Sequence, residues 1–167
     1  KTNFQGGKVF KKSYEKIIPE LLKNDNFKMI KCKSLEADDI IAICVKKLKK
    51  NKNNNLWVVS SDHDLLQLID ENITLMDAKM KSYNHKSYGT PDKDVFMKVV
   101  VGDKSDNIPQ VFKRVGVKTA LKLYDDKKLL LAKFRDDKKS FERFCFNKLL
   151  IDFKYIPIDI NKIKIKL

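Results

Sequence analysis

Leu56-Trp57-Val58-Val59-Ser60-Ser61-Asp62-His63-Asp64 is a run of four apolar residues that ends in two serines and a pair of carboxylates. So short an apolar run, rich in β-branched and aromatic side chains, reads as a strand buried on both faces. Asp62 and Asp64 then follow its carboxyl end, the edge at which open α/β sheets bind ligands. Their spacing of two lets both side chains share one side of an extended turn. An N-cap aspartate with an acidic neighbour is the plain structural alternative. Asp62 onward is expected to be helical, and Ile73 to Met76 to form a further strand. Strands alternating with helices predict an α/β fold around a parallel sheet.

Working outward, Ser34 is expected to cap a helix in which Ile40, Ile41, Cys44, Val45 and Leu48 recur at helical spacing. Lys46 to Lys50 close it with positive charge at the negative end of the dipole. Its first turn carries Glu36, Asp38 and Asp39; Glu36 and Asp39 share a face, and Asp38 is turned about 100° away. Taken alone, this segment is explained as well by capping and surface charge as by chemistry. Phe27 to Cys32 alternates like a short strand, and Ser13 is expected to cap a helix to about Asn24 that Pro19 interrupts. Residues 1–12, with Gly6-Gly7 and Lys8, Lys11 and Lys12, read as a basic mobile segment or the descending limb of a loop.

On the other side, residues 78–90 form a polar loop, and Thr90-Pro91 opens a helix through Val95, Phe96, Val99 and Val100 toward Gly102. Gly102-Asp103-Lys104-Ser105-Asp106-Asn107 then sets two acids three apart in a turn. An EF-hand loop is excluded, because the glycine at its position 6 and the glutamate at its position 12 are both missing. Short helices are expected from Asn107 to Asn147, including one from Val117 to about Tyr124. The tail, Leu149 to Leu167, alternates Ile and Lys like an edge strand or an extended cover.

The chain has 167 residues and a net charge of +14, with 43% hydrophobic residues. That length suits one domain with a genuine core. The basic balance, with a pI near 9.6, points to a polyanion, and nucleic acid fits better than a membrane surface because no basic amphipathic helix stands out. No apolar run approaches the roughly 18 residues of a membrane span. Cys32, Cys44 and Cys145 are widely spaced and, with only His63 and His85 as partners, do not suit a zinc site. Reduced thiols, with Cys44 in the core, and an intracellular setting are the expectation. The start at Lys1 rather than Met reads as a fragment of a longer product or a processed one.

Seven acids in three segments near element ends would repel strongly if they converged, and bound cations are the natural remedy. Oxygen-only ligation suits Mg²⁺ or Mn²⁺, and two such ions about 4 Å apart can activate water and stabilise a leaving oxygen at a phosphodiester.

Glu36-Ala37-Asp38-Asp39, Ser61-Asp62-His63-Asp64 and Gly102-Asp103-Lys104-Ser105-Asp106-Asn107-Ile108-Pro109 resemble, in order and spacing, the motifs of the 5′ nuclease superfamily. Glu-Ala-Asp-Asp places the resemblance in its phage and bacterial branch. The resemblance implies a parallel-sheet, PIN-like α/β core over 25–106 and a helix–three-turn–helix and helical region over 107–150, with 151–167 as a tail and 1–24 as the remnant of an arch. It implies two divalent ions, Mg²⁺ or Mn²⁺. Glu36, Asp38, Asp39, Asp62 and Asp64 would serve the first or bridge both, and Asp103 and Asp106 would serve the second. Two further aspartates are expected ahead of Lys1, in a missing N-terminal segment or a partner chain. Val115-Gly116-Val117-Lys118-Thr119-Ala120 would be the second half of the helix–three-turn–helix, its amides facing a DNA phosphate. Lys113 and Lys118 would hold the duplex, and Lys8, Lys11 and Lys12 would guide a single strand. Arg114 stands where the family has the first hairpin glycine, which counts against a K⁺ ion on the hairpin carbonyls and could add a phosphate contact. The implied activity is hydrolysis of phosphodiesters at DNA 5′ ends or flaps, with RNA primers as further substrates and replication proteins as partners. A non-catalytic DNA-binding module and a PIN-type ribonuclease are the alternatives.

Overall fold

The computed structural model describes residues 6–33 and 35–156, which fall into two compact units, each considered by itself. Residues 6–33 contain α1 (Gly6–Leu21), a single helix of 16 residues. The expected mobile segment before Ser13 is therefore helical from Gly6, and Ser13 lies inside the helix rather than capping it. Pro19 lies inside the helix, which ends two residues beyond it, as expected of a residue that removes a ladder hydrogen bond. Lys8, Lys11 and Lys12 are exposed on α1, and Lys11 pairs with Glu15 at 3.9 Å. The expected strand over 27–32 does not form. A strand needs a ladder partner, and no strand pairing among the described residues supplies one.

The second unit holds α2 (Ala37–Leu48), β1 (Leu56–Val59), a 3-10 helix over His63–Leu68, β2 (Ile73–Met76) and a 3-10 turn over Asn84–Lys86. There follow α3 (Pro91–Val101), α4 (Val117–Asp125), α5 (Lys127–Asp136), α6 (Lys138–Ile151) and a 3-10 turn over Phe153–Tyr155. β1 and β2 pair in parallel, with Leu56 opposite Ile73 and Val59 opposite Met76. Parallel neighbours need a crossover, and the 3-10 helix after β1 supplies it.

Two apolar clusters hold this unit together. Val45 of α2, Val58, Leu65, Leu66, Ile73 and Leu75 form the first, under one face of the sheet. Met97, Val99 and Val100 of α3 meet Val111, Phe112, Val115, Ala120, Leu123 and Ile151 in the second. α3 packs against α4, α6 and the 3-10 helix after β1, so it joins the two clusters. The expectation that β1 is buried on both faces fails: Val58 is buried, but Trp57 is 62% and Val59 54% exposed. Among the described residues, α2 and the 3-10 helix cover only one face.

Residues 107–116 contain turns but no helix, so the helices flanking them are α3 and α4. Val111, Phe112 and Val115 bury their side chains there, which fixes the path of the turns. Cys44 is half-buried rather than fully in the core, and burial pushes its thiol pKa up. Leu149 to Ile151 end α6 rather than starting an extended tail. Ser34 and residues 157–167, including the Ile/Lys alternation, lie outside the described residues.

Candidate metal centre

Each acidic segment is shaped by its own local bonding. Glu36, not Ser34, takes the extended N-cap position of α2, and its N–H donates to Asp39 Oδ2 at 3.3 Å. The Asp39 N–H in turn donates to Asp38 Oδ1 at 2.9 Å. At the end of β1, the Asp62 N–H donates to Ser60 Oγ at 3.1 Å. Asp62 Oδ1 accepts the Asp64 N–H at 2.9 Å, capping the 3-10 helix. This capping is the structural alternative drawn from sequence, and it coexists with the placement of both acids at the sheet edge.

The third segment depends on Gly102, whose φ of 77° lets α3 stop and turn back. The Asp103 N–H donates to Ile108 O at 2.9 Å and the Ile108 N–H to Asp103 O at 2.7 Å, closing the loop. Asn107, at φ 57°, occupies the left-handed region that asparagine tolerates. Asn147, reaching from α6, is fully buried and donates through Nδ2 to Val99 O at 3.0 Å and Pro109 O at 2.8 Å. It ties the loop to α3.

These elements bring six of the acids to one cleft of about 890 Å³, lined by Glu36, Asp38, Asp62, Asp64, Asp103 and Asp106, with Ser61, Ser105 and Lys98 among them. Asp39, also expected as a ligand, is not in this lining; its carboxylate is turned to the cap. His63 is exposed, and its Nε2 lies 2.7 Å from the Tyr83 hydroxyl.

Lys98 sits at the centre. Its Nζ contacts Asp64 Oδ1 and lies 2.9 Å from Asp103 Oδ2 and 3.6 Å from Asp106 Oδ2. The electrostatics are unequal across this group. Burial raises the Asp64 pKa despite the Lys98 contact. Asp103 is held well below the carboxylate range by the Ser105 hydroxyl and then by Lys98. Burial works against the Lys98 ammonium, but its hydrogen bonds to Asp64 and Asp103 outweigh that and raise its pKa. Asp64 and Lys98 thus shift in a way that one isolated pair would not. Lys98 has two acids to bond while Asp64 has one cation and acidic neighbours in Asp62 and Asp106, so both directions are physically consistent.

Among the described residues no three acid, His or Cys side chains form a ready metal shell. The carboxylates of Asp64, Asp103 and Asp106 are gathered around an ammonium instead. The donor set nevertheless fits a hard divalent ion: it is all oxygen, it comes from three chain segments, and it already draws a cation inward. Sequence reasoning missed Lys98. The signal was a single charged residue in Val95-Phe96-Met97-Lys98-Val99-Val100-Val101, an otherwise apolar stretch of helix, five positions before Asp103.

The expected DNA-binding residues are all exposed, Lys113 and Arg114 in the turn before α4 and Gly116, Lys118 and Thr119 at its start. Gly116 is its N-cap, and Gly116 O accepts the Thr119 and Ala120 N–H groups at 3.1 and 3.0 Å. Arg114 adopts φ 60°, the left-handed conformation that a glycine would take without strain. A neighbouring cleft of about 550 Å³ is lined by Val117 together with Lys98, Gly102 and Asp103, so α4 begins beside the acidic centre.

The family model for the 5′-3′ exonuclease N-terminal resolvase-like domain matches residues 10–99. The chain belongs to this 5′-3′ exonuclease family. It is 34% identical over 138 residues to a 5′-3′ exonuclease of Buchnera aphidicola (subsp. Schizaphis graminum), a match covering 78% of this chain and 45% of that protein. A 5′-3′ exonuclease of Aquifex aeolicus is 29% identical over 178 aligned positions, covering 90% of this chain and 61% of the relative. The chain therefore spans about half the length of the curated relatives it matches. Its fold is like that of the bacteriophage T5 D15 flap endonuclease in a complex with DNA and metal ions: TM-score 0.64 at 19% identity, over 91% of this chain and 63% of that one. The 5′ nuclease resemblance read from the three acidic motifs is borne out, and so is the α/β class with a small parallel sheet and a helical C-terminal region. Among the described residues no helix is long and apolar enough to cross a membrane.

Proposed function

We propose that this chain is the acid-lined, DNA-gripping portion of a divalent-metal-dependent 5′-3′ exonuclease and flap endonuclease. The carrying observation is the convergence of Glu36, Asp38, Asp62, Asp64, Asp103 and Asp106 on one cleft in a chain of net charge +14. Glu36, Asp38, Asp62 and Asp64 would hold one Mg²⁺ or Mn²⁺ or bridge two, and Asp103 and Asp106 would hold the second together with Asp64, with two more aspartates supplied from outside the chain. Asp39 supports this set by fixing the cap on which Glu36 sits. When bound, such ions supply an activated water and charge stabilisation at the scissile phosphate.

The protein's own part is positioning. Gly116 to Lys118 offer first-turn amides to a backbone phosphate of duplex DNA, the Thr119 hydroxyl lies in the same turn, and Lys113, Arg114 and Lys118 add charge around it. Because α4 begins beside the acidic cleft, a duplex held there leaves its strand end close to the carboxylates. Lys8, Lys11 and Lys12 would guide the single-stranded 5′ arm. The fold-level likeness to a flap endonuclease crystallised with DNA and metal ions supports the same substrate class.

The test is a 5′-labelled DNA flap incubated with Mg²⁺ and the full-length product containing this chain. Asp62→Asn and Asp103→Asn should each abolish cleavage while duplex binding persists. An RNA flap of equal geometry reports whether primers are also substrates. Binding without cleavage by the unsubstituted full-length protein would overturn the reading.

A further inference from the structure

Lys98 carries a consequence for how this cleft takes up a cation. Its side chain is 18% exposed, rooted on α3 between the buried residues Met97 and Val99. Its ammonium bridges acids from two chain segments, Asp64 after β1 and Asp103 with Asp106 after α3. Without it, three carboxylates would face one another in a half-buried cleft, a strongly repulsive arrangement. An ordinary surface ion pair does not explain this geometry, since one cation is shared among three acids and sits between them. A hard divalent ion held by Asp64 and Asp103 together would need the space that the ammonium fills. The ammonium and a metal ion cannot both take that one position between the same oxygens.

We propose that Lys98 is an internal counter-ion that occupies the Asp64–Asp103–Asp106 subsite in the metal-free protein and must swing out before a divalent ion can bind there. This rests on the metal-dependent reading above. The flexible four-carbon stem and the open cleft allow the movement. Occupation by Lys98 and by metal are mutually exclusive. Lys98 therefore sets both the affinity of this subsite and the stability of the metal-free fold.

The experiment is Mn²⁺ titration followed by electron paramagnetic resonance of the free ion, on the purified 167-residue chain. Lys98→Met and Lys98→Arg are compared with wild type. Lys104→Met serves as a control, removing the same charge from an exposed position in the neighbouring turn. Lys98→Met should tighten the affected site at least tenfold and Lys104→Met less than threefold, while Lys98→Arg stays at or below wild-type affinity. In EDTA, Lys98→Met should melt below wild type, and its gain in Tm on saturation with Mn²⁺ should be the larger of the two. A Lys98→Met chain that folds only when Mn²⁺ is added supports the same conclusion. Unchanged or weaker binding in Lys98→Met, or equal tightening in Lys104→Met, overturns the counter-ion role and leaves the nuclease reading standing. If no form of the chain binds Mn²⁺, the counter-ion proposal falls, while the nuclease reading is decided separately by flap cleavage with the full-length product.

Discussion

Gly102 is where α3 ends and the Asp103–Asp106 turn begins, so Gly102→Ala tests whether the acidic centre depends on one close backbone approach. A Cβ at Gly102 would lie 2.5 Å from Ile108 O, 2.8 Å from the Pro109 carbonyl carbon and 2.9 Å from Gln110 N. All three are backbone atoms, so no side chain can move aside. With φ 77° and ψ 175°, the conformation is one that only glycine adopts freely, worth about 1–3 kcal/mol of strain for alanine. Overpacking against a fixed backbone adds about 1–3 kcal/mol. Reduced entropy of the unfolded chain returns about 0.4–1 kcal/mol, leaving a net loss near 2–5 kcal/mol. For a domain of this size that lowers Tm by roughly 5–15 °C. Gly89 is the internal control: its φ is 114°, but nothing lies within 4 Å of its added Cβ. Gly89→Ala should therefore show the backbone strain without the clash. Thermal denaturation in EDTA gives both values, and Mn²⁺ affinity shows whether Asp103 has moved. If Gly102→Ala melts no lower than Gly89→Ala, the tight packing of the turn against residues 108–110 is not what holds this centre.

Asn147→Leu should cost about 2–4 kcal/mol in urea denaturation, because it strips Pro109 O of a buried donor and removes the link between α6 and the acidic turn. Arg114→Gly should leave Tm within a few degrees, since relief of about 1–2 kcal/mol of left-handed strain is offset by a freer unfolded chain. If the guanidinium meets a phosphate, the same change should lower the salt slope of duplex binding by about one, as should Lys118→Ala. Asp103 gives a pH signature in EDTA. Its folded-state pKa lies below 3.8, so it binds fewer protons folded than unfolded, and its contribution is complete above that value and lost as the medium becomes more acid. Wild type should accordingly exceed Asp103→Asn in stability at pH 6, with the gap narrowing as the pH falls from 4 toward 2. A gap that widens in acid would mean that Ser105 and Lys98 do not favour the charged carboxylate.

Where the local pattern is strong and a partner is at hand, the elements lie within a residue or two of expectation. The apolar run Leu56–Val59, the Ile73–Met76 strand and the Thr90-Pro91 start of α3 all emerged as expected. The acidic motifs were legible for the same reason, each being confined to a few neighbouring residues. What depends on partners was not. Residues 27–32 alternate correctly for a strand, but alternation does not create a neighbour to pair with. β1 looks doubly buried by composition, yet burial depends on what lies over Trp57 and Val59, which their own identities do not report. The cap of α2 moved from Ser34 to Glu36 because Asp39 can satisfy the Glu36 N–H, a reciprocal bond that preference tables for single residues overlook.

Lys98 shows the same limit within the site, and it changes how the acids should be understood. The local bonds occupy one oxygen of several carboxylates: Asp38 Oδ1, Asp62 Oδ1 and Asp103 Oδ1 each accept a backbone N–H from a residue one or two further on. Such bonds orient a carboxylate without exhausting it, since each has a second oxygen. For Asp103 that second oxygen, Oδ2, is the one that Lys98 engages. The turn thus holds the acid by one oxygen and presents the other to a cation. An exchange of ammonium for metal can then proceed with the Asp103 backbone anchored by Ile108 and its Oδ1 held by both the N–H and the hydroxyl of Ser105, of which glycine keeps only the first. If so, replacing Ser105 by glycine should weaken Mn²⁺ binding at this subsite without altering the competition from Lys98. The double variant Ser105→Gly/Lys98→Met would then show additive changes in binding free energy, whereas strong coupling would mean that Ser105 acts through Lys98 rather than through Asp103.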